Sequence, residues 1–380
     1  MAKAGFSMVG LDIGASGIRA VQLRPPRKGG PPLIKHASWL DLPPDVLREG
    51  ELLDPRALTK ALRQLWRRGR FRRRKVAFAV PASTVLTRQL DLPWMTPHEF
   101  RSALRFQVMD ALPMDIDTVQ LDYHLLERLV RPDGKGHTID ENRVLVVAAQ
   151  RAQTSAIAQA IRDADLEPVI ADHAPLALIR SVNQGRLPAD STAHAIVDIG
   201  AEQMTVIVHA QGQPLFIRVL SPAGGAAATA AIRTELGVDT LEAEHLKRSI
   251  QINVPVPVLV PVAESSVFSA PFDIPSANVN ATDSRVIAIA NTWASAIVSE
   301  IRNSLDYYLS SEHSAPITDL TCVGRSVLMP GLVERIATQL PYPITSGQPW
   351  MGLSGAERFK TQPRASELAL AIGLATARTP

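Results

Sequence analysis

Two stretches of this chain share one pattern: MVGLDIGASGIRAVQL at residues 8–23 and AIVDIGAEQMTVIVHA at residues 195–210. Each has an apolar run, then Asp-Ile-Gly, a few small or polar residues, and a second apolar run. Such a pattern predicts a strand, a tight glycine turn and a returning strand. Because the two copies lie half a chain apart, they indicate a duplicated domain whose halves close on one ligand from both sides.

The two predicted turns have the chemistry of a phosphate site. A glycine turn directs backbone N–H groups toward a ligand above it, and an aspartate there can hold the water shell of a Mg²⁺ ion. Asp12 and Asp198 stand at the same place in the two copies, and no Cys/His cluster has the spacing of a zinc site. The sequence therefore predicts a nucleotide between the turns, with Mg²⁺ as the metal that it carries.

Length and composition are those of an ordinary globular protein. The chain has 380 residues, of which 46% are hydrophobic and 20% charged, enough for one large or two medium domains. No apolar run reaches the ~18 residues that a membrane span needs, and the N-terminus lacks the layout of a signal peptide. The single cysteine, Cys322, fits a reducing compartment. We therefore expect a cytoplasmic protein.

Basic residues are concentrated in one run, although the formal net charge is only +3. This run is RRGRFRRRK, at residues 67–75. It allows three interpretations: a solvated helix end and turn, which is the simplest, a contact with anionic lipid headgroups, or a contact with nucleic acid. No zinc knuckle, helix-turn-helix or aromatic RNA-binding motif accompanies it, and we expect no nucleic-acid partner.

Hydrophobic periodicity predicts strands that alternate with helices in both halves, which is typical of α/β architecture. Amphipathic helices are predicted at residues 55–68, 97–112 and 286–309. Residues 184–191 have the composition of a linker between the halves. Residues 252–283 are rich in Pro, Val, Ser and Ala without a clear period, and they predict a long variable loop.

An ordered set of segments resembles the actin-like ATPase superfamily and, within it, the PilM family of type IV pilus assembly proteins. The resemblance covers about residues 8–376. The segments, with their first residue numbers, are LDIGASGIRAVQL (11), VPASTVLTRQLDLPWM (80), YHLL (123), RVLVVAAQ (143), LEPVIADHAPLALIR (166), VDIGAEQMTV (197), PLFIRVLSPAGG (214), EAEHLKR (242), EIRNSLDYYL (300), VGRSVLMPGL (323) and SELALAIGLA (366).

The resemblance implies an actin-like, ribonuclease H-like duplicated fold of two lobes with an extra small subdomain. The first lobe would take residues 1–190, with an insert of the FtsA/PilM type at about 71–164. The second lobe would take residues 191–380, with its variable loop at about 252–283. The stretch LPWMTPHEFRSALRFQVMDALPMDIDTVQLDY, from residue 92, resembles the form of the insert that is specific to PilM. ATP with Mg²⁺ is the implied cofactor.

By the same resemblance, the nucleotide contacts fall into three groups. Gly14 and Gly17 would allow close backbone approach, Ser16 would offer a hydroxyl, and Asp172 would be the catalytic acid that positions water. Asp12 and Asp198 would hold Mg²⁺ through water. The groups are Asp12, Gly14, Ser16 and Gly17 in the first turn; Asp198, Gly200 and Thr205 in the second; and Gly225, Glu244, Lys247, Arg248, Gly324, Arg325 and Ser326 around adenosine.

Several of these residues have a second interpretation. Asp172 either positions the attacking water or caps a helix. Arg19 either neutralises phosphate or points to solvent. Glu244, Lys247 and Arg248 share a helix face at spacings of three and four, where they either grip ribose and adenine or form an ordinary surface ion-pair group.

Two residues depart from the pattern of the family. Glu202 stands where relatives carry small or hydroxylated residues, and its carboxylate repels polyphosphate unless Mg²⁺ bridges them. Arg325 interrupts a loop that usually has consecutive glycines, and it either stacks on adenine or fills the pocket. These departures imply weak nucleotide binding and slow or absent hydrolysis, so any enzyme activity would be that of a weak ATPase.

The implied function is a cytoplasmic scaffold at the inner face of the cytoplasmic membrane, within a pilus assembly complex. Its partner would be the N-terminal tail of a PilN-like membrane protein, held in a groove to which the helix at 100–112 contributes. Nucleotide would act as a conformational lever. Two alternatives stay open: an FtsA-like polymerising tether, for which the C-terminal tail lacks an amphipathic helix, and a superfamily kinase, for which no acid has a suitable context.

Overall fold

The computed structural model describes residues 8–25, 30–132, 138–183, 192–254, 281–311, 314–360, 362 and 364–377. The predicted linker at 184–191 and most of the predicted variable loop lie outside the described residues. The strands are β1 Val9–Gly14, β2 Gly17–Arg24, β3 Leu33–Asp41, β4 Leu47–Arg48, β5 Glu51–Leu52, β6 Lys75–Val80, β7 Val85–Pro93, β8 Val119–Pro132, β9 Thr138–Gln150, β10 Glu167–His173, β11 Ala193–Ile199, β12 Met204–Ala210, β13 Gln213–Leu220, β14 Ile317–Val323 and β15 Ile344–Ser346. The α-helices are α1 Pro55–Gly69, α2 Pro97–Gln107, α3 Arg151–Asp163, α4 Ala174–Val182, α5 Gly225–Leu236, α6 Thr240–Ser249, α7 Ala281–Leu309, α8 Leu332–Gln339, α9 Glu357–Lys360 and α10 Ala369–Ala375.

Two five-stranded sheets repeat one arrangement. Their strand orders are β3-β2-β1-β6-β10 and β13-β12-β11-β14-β15. In each sheet the first three strands are antiparallel and the last two run parallel to the central strand. The registers agree as well, because Asp12 lies opposite Arg19 and Asp198 opposite Thr205. The duplicated α/β fold that the two Asp-Ile-Gly stretches predicted is confirmed.

The first sheet is held by apolar side chains on α1 and α3. Leu58, Leu62 and Leu65 of α1 are fully buried and pack with the side chains of β1 in one core cluster. The helix begins where Asp54 accepts a hydrogen bond from the backbone N–H of Ala57, which satisfies one of the free donors of the first turn. This helix connects β5 to β6, which pairs with β1 in the sheet.

A third sheet, β7-β9-β8, forms the insert together with α2. Its core contains Phe100 and Leu104 of α2 against the buried side of β9. The predicted insert of 71–164 is wider than this unit. β6 and α3 pack instead in the core of the first lobe, because Phe78 and Ile161 are buried there. The insert that the structure shows is therefore residues 85–150.

The end of the chain packs against the first lobe. The prediction, by contrast, places all of residues 191–380 in the second lobe. Ala371, Ile372 and Ala375 of α10 are buried against Val21 and Leu23 of β2. A stretch of small residues permits this close approach between helix and sheet. The boundary near residue 190 stays a prediction, because it lies outside the described residues.

The second lobe is built around α7, whose residues Trp293, Ile297, Ile301 and Leu305 form the predicted stripe and are buried in its core. The helix begins at Ala281, five residues before the predicted start of 286. Within the described ranges, no helix is both long enough and apolar enough to cross a membrane.

Candidate functional site

The two Asp-Ile-Gly turns face one cavity between the lobes. This cavity has a volume of about 120 Å³. The first turn contributes Asp12, Gly14 and Ser16 to its lining, and the second contributes Asp198, Gly200 and Thr205. Each aspartate lies near the turn of its hairpin and pairs with the residue seven positions later, Asp12 with Arg19 and Asp198 with Thr205. The equivalent registers therefore bring equivalent side chains to the cleft.

Asp12 and Asp198 influence each other in this cavity. Burial raises the pKa of Asp198 to about 7, the negative charge of Asp12 acts in the same direction, and Arg19 opposes it. Burial also raises the pKa of Asp12, against the opposing charge of Arg19. A bound cation would stabilise the ionised forms of two buried carboxylates that repel each other.

Arg19 is buried in the lining of the cavity, where its predicted role in neutralising phosphate stays a prediction. Its Nε and Nη2 donate to Glu367 Oε2 at 3.0 and 2.8 Å, and its Nη1 lies 3.3 Å from Asp12 Oδ2. The side chain is only 7% exposed, so the solvent interpretation is wrong. Arg19 is committed to two carboxylates, and it fixes the position of Asp12.

Glu367 is a residue of this site that sequence reasoning missed. Its side chain is 2% exposed, and it accepts hydrogen bonds from Arg19 and from Arg364. Burial alone would raise the pKa of Glu367, but the two arginines hold it below its ordinary value. The available signal was a lone acid in the apolar, small-residue segment SELALAIGLA, which needs a buried partner.

Gly17 serves the sheet and not the cavity. A Cβ on Gly17 would lie 2.6 Å from the carbonyl oxygen of Leu40 on β3, and the residue is not part of the cavity lining. The glycine is required by the neighbouring strand, and the predicted phosphate contact at Gly17 stays a prediction.

The loop after β14 lies directly against Asp198. Gly324 has a φ of +96°, and a Cβ there would be 2.4 Å from Asp198 Oδ1. Only glycine fits both the left-handed backbone and this close approach. Arg325 extends from the same loop across the cleft, where its Nη1 donates to Asp41 Oδ1 at 2.6 Å and to the carbonyl oxygen of Ser16 at 3.4 Å.

Glu202 makes a second contact across the cleft. Its Oε2 accepts a hydrogen bond from the backbone N–H of Glu49, in the turn between β4 and β5, at 2.8 Å. Burial raises the pKa of Glu202, although the N–H of Glu49 and the charge of Arg48 favour the ionised form. The second turn and the first lobe are therefore joined by a carboxylate that also lines the cavity.

The predicted adenosine residues form a compact cluster beside the second turn. Lys247 Nζ donates to Gly225 O at 3.0 Å, to Thr229 Oγ1 at 2.8 Å and to Glu244 Oε2 at 2.6 Å. All three donors of the ammonium are thus in use, and its side chain is 7% exposed. The interpretation as an ordinary surface ion-pair group is therefore wrong for Lys247.

The remaining members of this cluster connect it to the second turn and to solvent. Ser326 Oγ donates to the carbonyl oxygen of Gly200 at 2.8 Å, and the N–H of Gly225 donates to the same oxygen at 3.1 Å. Arg248 pairs with Glu244 Oε1 at 2.7 Å, and its side chain is 51% exposed. Of the predicted adenosine residues, Gly324 and Arg325 line the cavity, and the others pack behind it or beside it.

Asp172 does not reach the cavity lining. Its Oδ2 pairs with Arg180 of α4, and its Oδ1 accepts the backbone N–H of His173 at 2.8 Å. The residue before α4 is His173, so Asp172 is not the helix cap either. The structure does not bring this predicted catalytic acid to the two turns, and its carboxylate is paired with Arg180 instead.

The chemistry of the cavity fits a hydrated cation with phosphate. Asp12 and Asp198 supply two acceptors, and Gln203 Oε1, which lines the same cavity, is buried without a hydrogen-bond partner among the described residues. The described residues include no group of three or more His, Cys, Asp or Glu side chains that could hold a metal directly. Mg²⁺ usually keeps several waters and needs only one or two carboxylates, so two aspartates match the acceptors that it uses.

Comparisons with known proteins agree with this fold. A family model described as type IV pilus assembly protein PilM matches residues 10–289. A solved structure of the PilM-PilN type IV pilus biogenesis complex is similar with a TM-score of 0.77 at 25% identity, and the match covers 97% of each chain.

Two further solved structures share the fold at lower identity. The ethanolamine utilization protein EutJ from Carboxydothermus hydrogenoformans matches with a TM-score of 0.53 at 12% identity, over 97% of this chain and 89% of that one. MreB5 of Spiroplasma citri bound to ADP matches with a TM-score of 0.50 at 12% identity, over 96% and 94%. At such identities the likeness concerns the fold alone.

Proposed function

Because the chain belongs to the PilM family of type IV pilus assembly proteins, we propose that it is an actin-like scaffold that binds a nucleotide and docks the N-terminal tail of a PilN-like membrane protein. The observation that carries the proposal is the pairing of Asp12 and Asp198 on one cavity between two equivalent sheets. The similarity of this chain to a solved PilM-PilN complex, with a TM-score of 0.77, supports the same proposal.

The proposed ligand of the cavity is ATP with Mg²⁺. Asp12 and Asp198 would accept hydrogen bonds from water on Mg²⁺, with Gln203 Oε1 as a further acceptor. Gly14, Ser16, Gly200 and Thr205 would surround the phosphates. Bound Mg²⁺ supplies positive charge that neutralises polyphosphate between the two carboxylates. Adenosine would lie at the cluster of Gly225, Glu244, Lys247, Arg248, Gly324, Arg325 and Ser326.

The cleft has to open to admit a whole nucleotide. Its volume of about 120 Å³ is well below the roughly 300–1,000 Å³ of ligand pockets. Arg325 and Glu202 close it by contacting Asp41 and the N–H of Glu49 in the first lobe. Nucleotide binding would therefore change the relative position of the lobes, which is the lever that a scaffold needs.

Binding is favoured over efficient hydrolysis. The acid expected to position water, Asp172, is paired with Arg180 outside the cavity lining. General-base action requires hydrogen-bond reach of the water whose proton is removed. We therefore propose a nucleotide-dependent scaffold whose ATPase activity is weak, acting at the inner face of the cytoplasmic membrane.

The proposed docking groove for the tail lies beside the insert. Phe100 and Leu104 of α2 are buried in the core of the insert, so they do not contact a partner. Phe106 and Met109, by contrast, are 72% and 48% exposed in the same segment. Exposed apolar side chains at a helix end are suitable anchors for an apolar peptide.

The test is a pull-down with a synthetic N-terminal tail of the PilN-like protein, with a scrambled peptide as its control. We expect the chain to retain the tail and not the scrambled peptide. Phe106→Glu should abolish retention, and Leu241→Glu, at a residue of the second lobe that is 73% exposed, should leave it unchanged. Failure of the unaltered chain to retain the tail would contradict the scaffold function.

The nucleotide site is tested separately by calorimetric titration with ATP and Mg²⁺. Asp12→Ala removes one of the two carboxylates but leaves Arg19 paired with Glu367. We expect the affinity to fall by about tenfold or more, since a lost charge-assisted contact costs ~1.5–3 kcal/mol. Asp110→Ala, at an exposed position on the insert, is the control. Equal binding by both variants would show that the site is assigned wrongly.

A further inference from the structure

Helix α1 carries a line of basic side chains on the side that faces away from its core. Arg56, Lys60, Arg63 and Arg67 follow one another at spacings of four, three and four, which places them on one side of the helix. All four are exposed. The line extends for roughly 16 Å along the helix axis.

The end of α1, the turn that follows it and the first residue of β6 continue this basic surface. Arg68, Arg70, Arg72, Arg73, Arg74 and Lys75 are all exposed. Residues 55–75, which we name the basic face, thus contain ten of the 40 basic residues of the chain and none of its 37 acidic residues. The rest of the chain holds 30 basic against 37 acidic residues and is negative. The small net charge of the protein therefore hides a strong separation of charge.

The basic face is built on a fixed backbone. Phe71 is 8% exposed and packs against Trp66, with ring centroids 5.2 Å apart. The indole Nε1 of Trp66 donates to the carbonyl oxygen of Arg73 at 2.9 Å, and the N–H of Phe71 donates to Trp66 O at 3.1 Å. These contacts hold the backbone of the turn in place, so the basic side chains extend from a fixed frame.

Few of these charges are neutralised within the described part of the chain. Lys75 Nζ lies 3.7 Å from Glu167 Oε1, and among the described residues this is the one ion pair that involves the basic face. Arg63 and Arg74 donate to the backbone oxygens of Asp163 and Asp165 and keep their full charge. A shallow groove of about 410 Å³, open to solvent, runs beside the line on α1, with Asp163 as its one acidic lining residue.

We propose that the basic face docks this protein on an anionic phospholipid surface. Arginine binds phosphate through two parallel N–H donors, and clusters of four to eight basic residues are typical of proteins that bind acidic lipids. The aromatic side chains in the segment, Trp66 and Phe71, are buried and cannot stack on bases, which disfavours single-stranded nucleic acid. The contact does not depend on a nucleotide or on a PilN-like partner.

The experiment is flotation of the full chain with vesicles, one set of phosphatidylcholine alone and one containing one part phosphatidylglycerol to two parts phosphatidylcholine. We expect flotation with the anionic vesicles only, and a loss of flotation at high salt, because the contact is electrostatic. Absence of flotation with anionic vesicles at low salt would overturn the proposal.

Position is separated from net charge by two variants that carry the same charge. The first combines Arg56→Glu, Lys60→Glu and Arg67→Glu, and the second combines Arg88→Glu, Arg101→Glu and Arg233→Glu at exposed positions elsewhere. At roughly fivefold per basic residue, the first should lose about 100-fold or more in vesicle affinity. The second should lose less than about fivefold. An equal loss of vesicle affinity in both variants would show that net charge alone causes the binding, and it would contradict a docking face.

Nucleic acid is tested in the same way, by fluorescence anisotropy with a duplex and with a single-stranded oligonucleotide. We expect binding to be weaker than vesicle binding at the same salt. Tighter binding to either oligonucleotide, removed by the first variant and kept by the second, would assign the basic face to nucleic acid and overturn the lipid proposal. Circular dichroism melting of both variants checks that the fold is retained.

Discussion

Arg325 Nη1 lies 2.6 Å from Asp41 Oδ1, and this ion pair joins the loop after β14 in the second lobe to the end of β3 in the first. Glu202 makes the other connection, to the backbone N–H of Glu49. Both residues depart from the nucleotide-binding pattern of the family that the chain resembles. The same two side chains that should weaken nucleotide binding therefore close the cleft.

Breaking the ion pair should strengthen nucleotide binding. We expect Asp41→Asn to raise the affinity for ATP with Mg²⁺ by about threefold to fivefold, because the side chain of Asp41 is half exposed and such pairs contribute at most ~1 kcal/mol. Calorimetric titration measures the change. Asp140→Asn, which removes the partner of Arg128 on the insert, is the matched control and should leave the affinity unchanged.

The role of Arg325 itself follows from a companion variant. If Arg325 fills the pocket, Arg325→Ala should raise the affinity as Asp41→Asn does. A lower affinity for ATP with Mg²⁺ in Arg325→Ala would instead mean that Arg325 stacks on adenine, and it would contradict its role as a closing contact.

Without added nucleotide or Mg²⁺, the stability of the protein should fall as pH rises through the range in which Asp198 ionises. The pKa of Asp198 is raised to about 7 by burial and by Asp12, so the folded state binds the proton more tightly than the unfolded state. The free energy of unfolding therefore decreases between about pH 4 and 7 because of this group, by up to ~4 kcal/mol.

Asp198→Asn should remove that penalty. At pH 8 we expect the variant to have a higher free energy of unfolding than the unaltered chain, and the difference should vanish near pH 4, where Asp198 is protonated. Urea titrations across this range measure it, with the exposed Asp110→Asn as control. Equal free energies of unfolding for Asp198→Asn and the unaltered chain at pH 8 would contradict the close placement of two repelling carboxylates.

Gly324 should tolerate no side chain. Alanine there would adopt a φ of +96° and place its Cβ 2.4 Å from Asp198 Oδ1, so we expect a loss of roughly 3 kcal/mol in stability and of ATP binding. Gly237→Ala is the control, since its φ is +67° but nothing lies within 4 Å of the added Cβ. The control should lose only ~1 kcal/mol. Equal melting temperatures of the two variants would refute the close approach.

Lys247 and Arg248 are neighbours with very different roles in stability. Lys247→Met removes a buried ammonium and its hydrogen bonds to Gly225 O, Thr229 Oγ1 and Glu244 Oε2, and we expect a loss of roughly 3 kcal/mol. Arg248→Met removes a side chain that is 51% exposed and should cost less than ~1 kcal/mol. Chemical denaturation measures both. Losses of similar size would show that the Lys247 network is solvated.

The two hairpins were predictable because their information is local. Apolar runs on each side of Asp-Ile-Gly specify two strands and a turn, and the repetition of this pattern indicates two equivalent sheets. The helices α1 and α7 were predictable for the same reason, since their apolar stripes and the proline at the start of α1 act within a few turns of chain.

The limits of the insert were less predictable. The sequence shows that β6 is an apolar strand and α3 an amphipathic helix, and either element could pack in the insert or in the first lobe. Phe78 and Ile161 pack in the core of the first lobe, and this packing assigns β6 and α3 to that lobe. The packing depends on contacts between distant parts of the chain, which the local sequence does not specify.

Sequence alone determined the duplicated α/β plan, the two aspartates and the concentration of basic residues, because each of these is a pattern within one short segment. Tertiary structure alone decided that Arg19 pairs with Glu367, 348 positions away, and that Arg180 keeps Asp172 from the cleft. It also decided that Arg325 reaches Asp41. A buried or bridging charge needs a partner, but which partner it finds depends on how remote segments meet after folding.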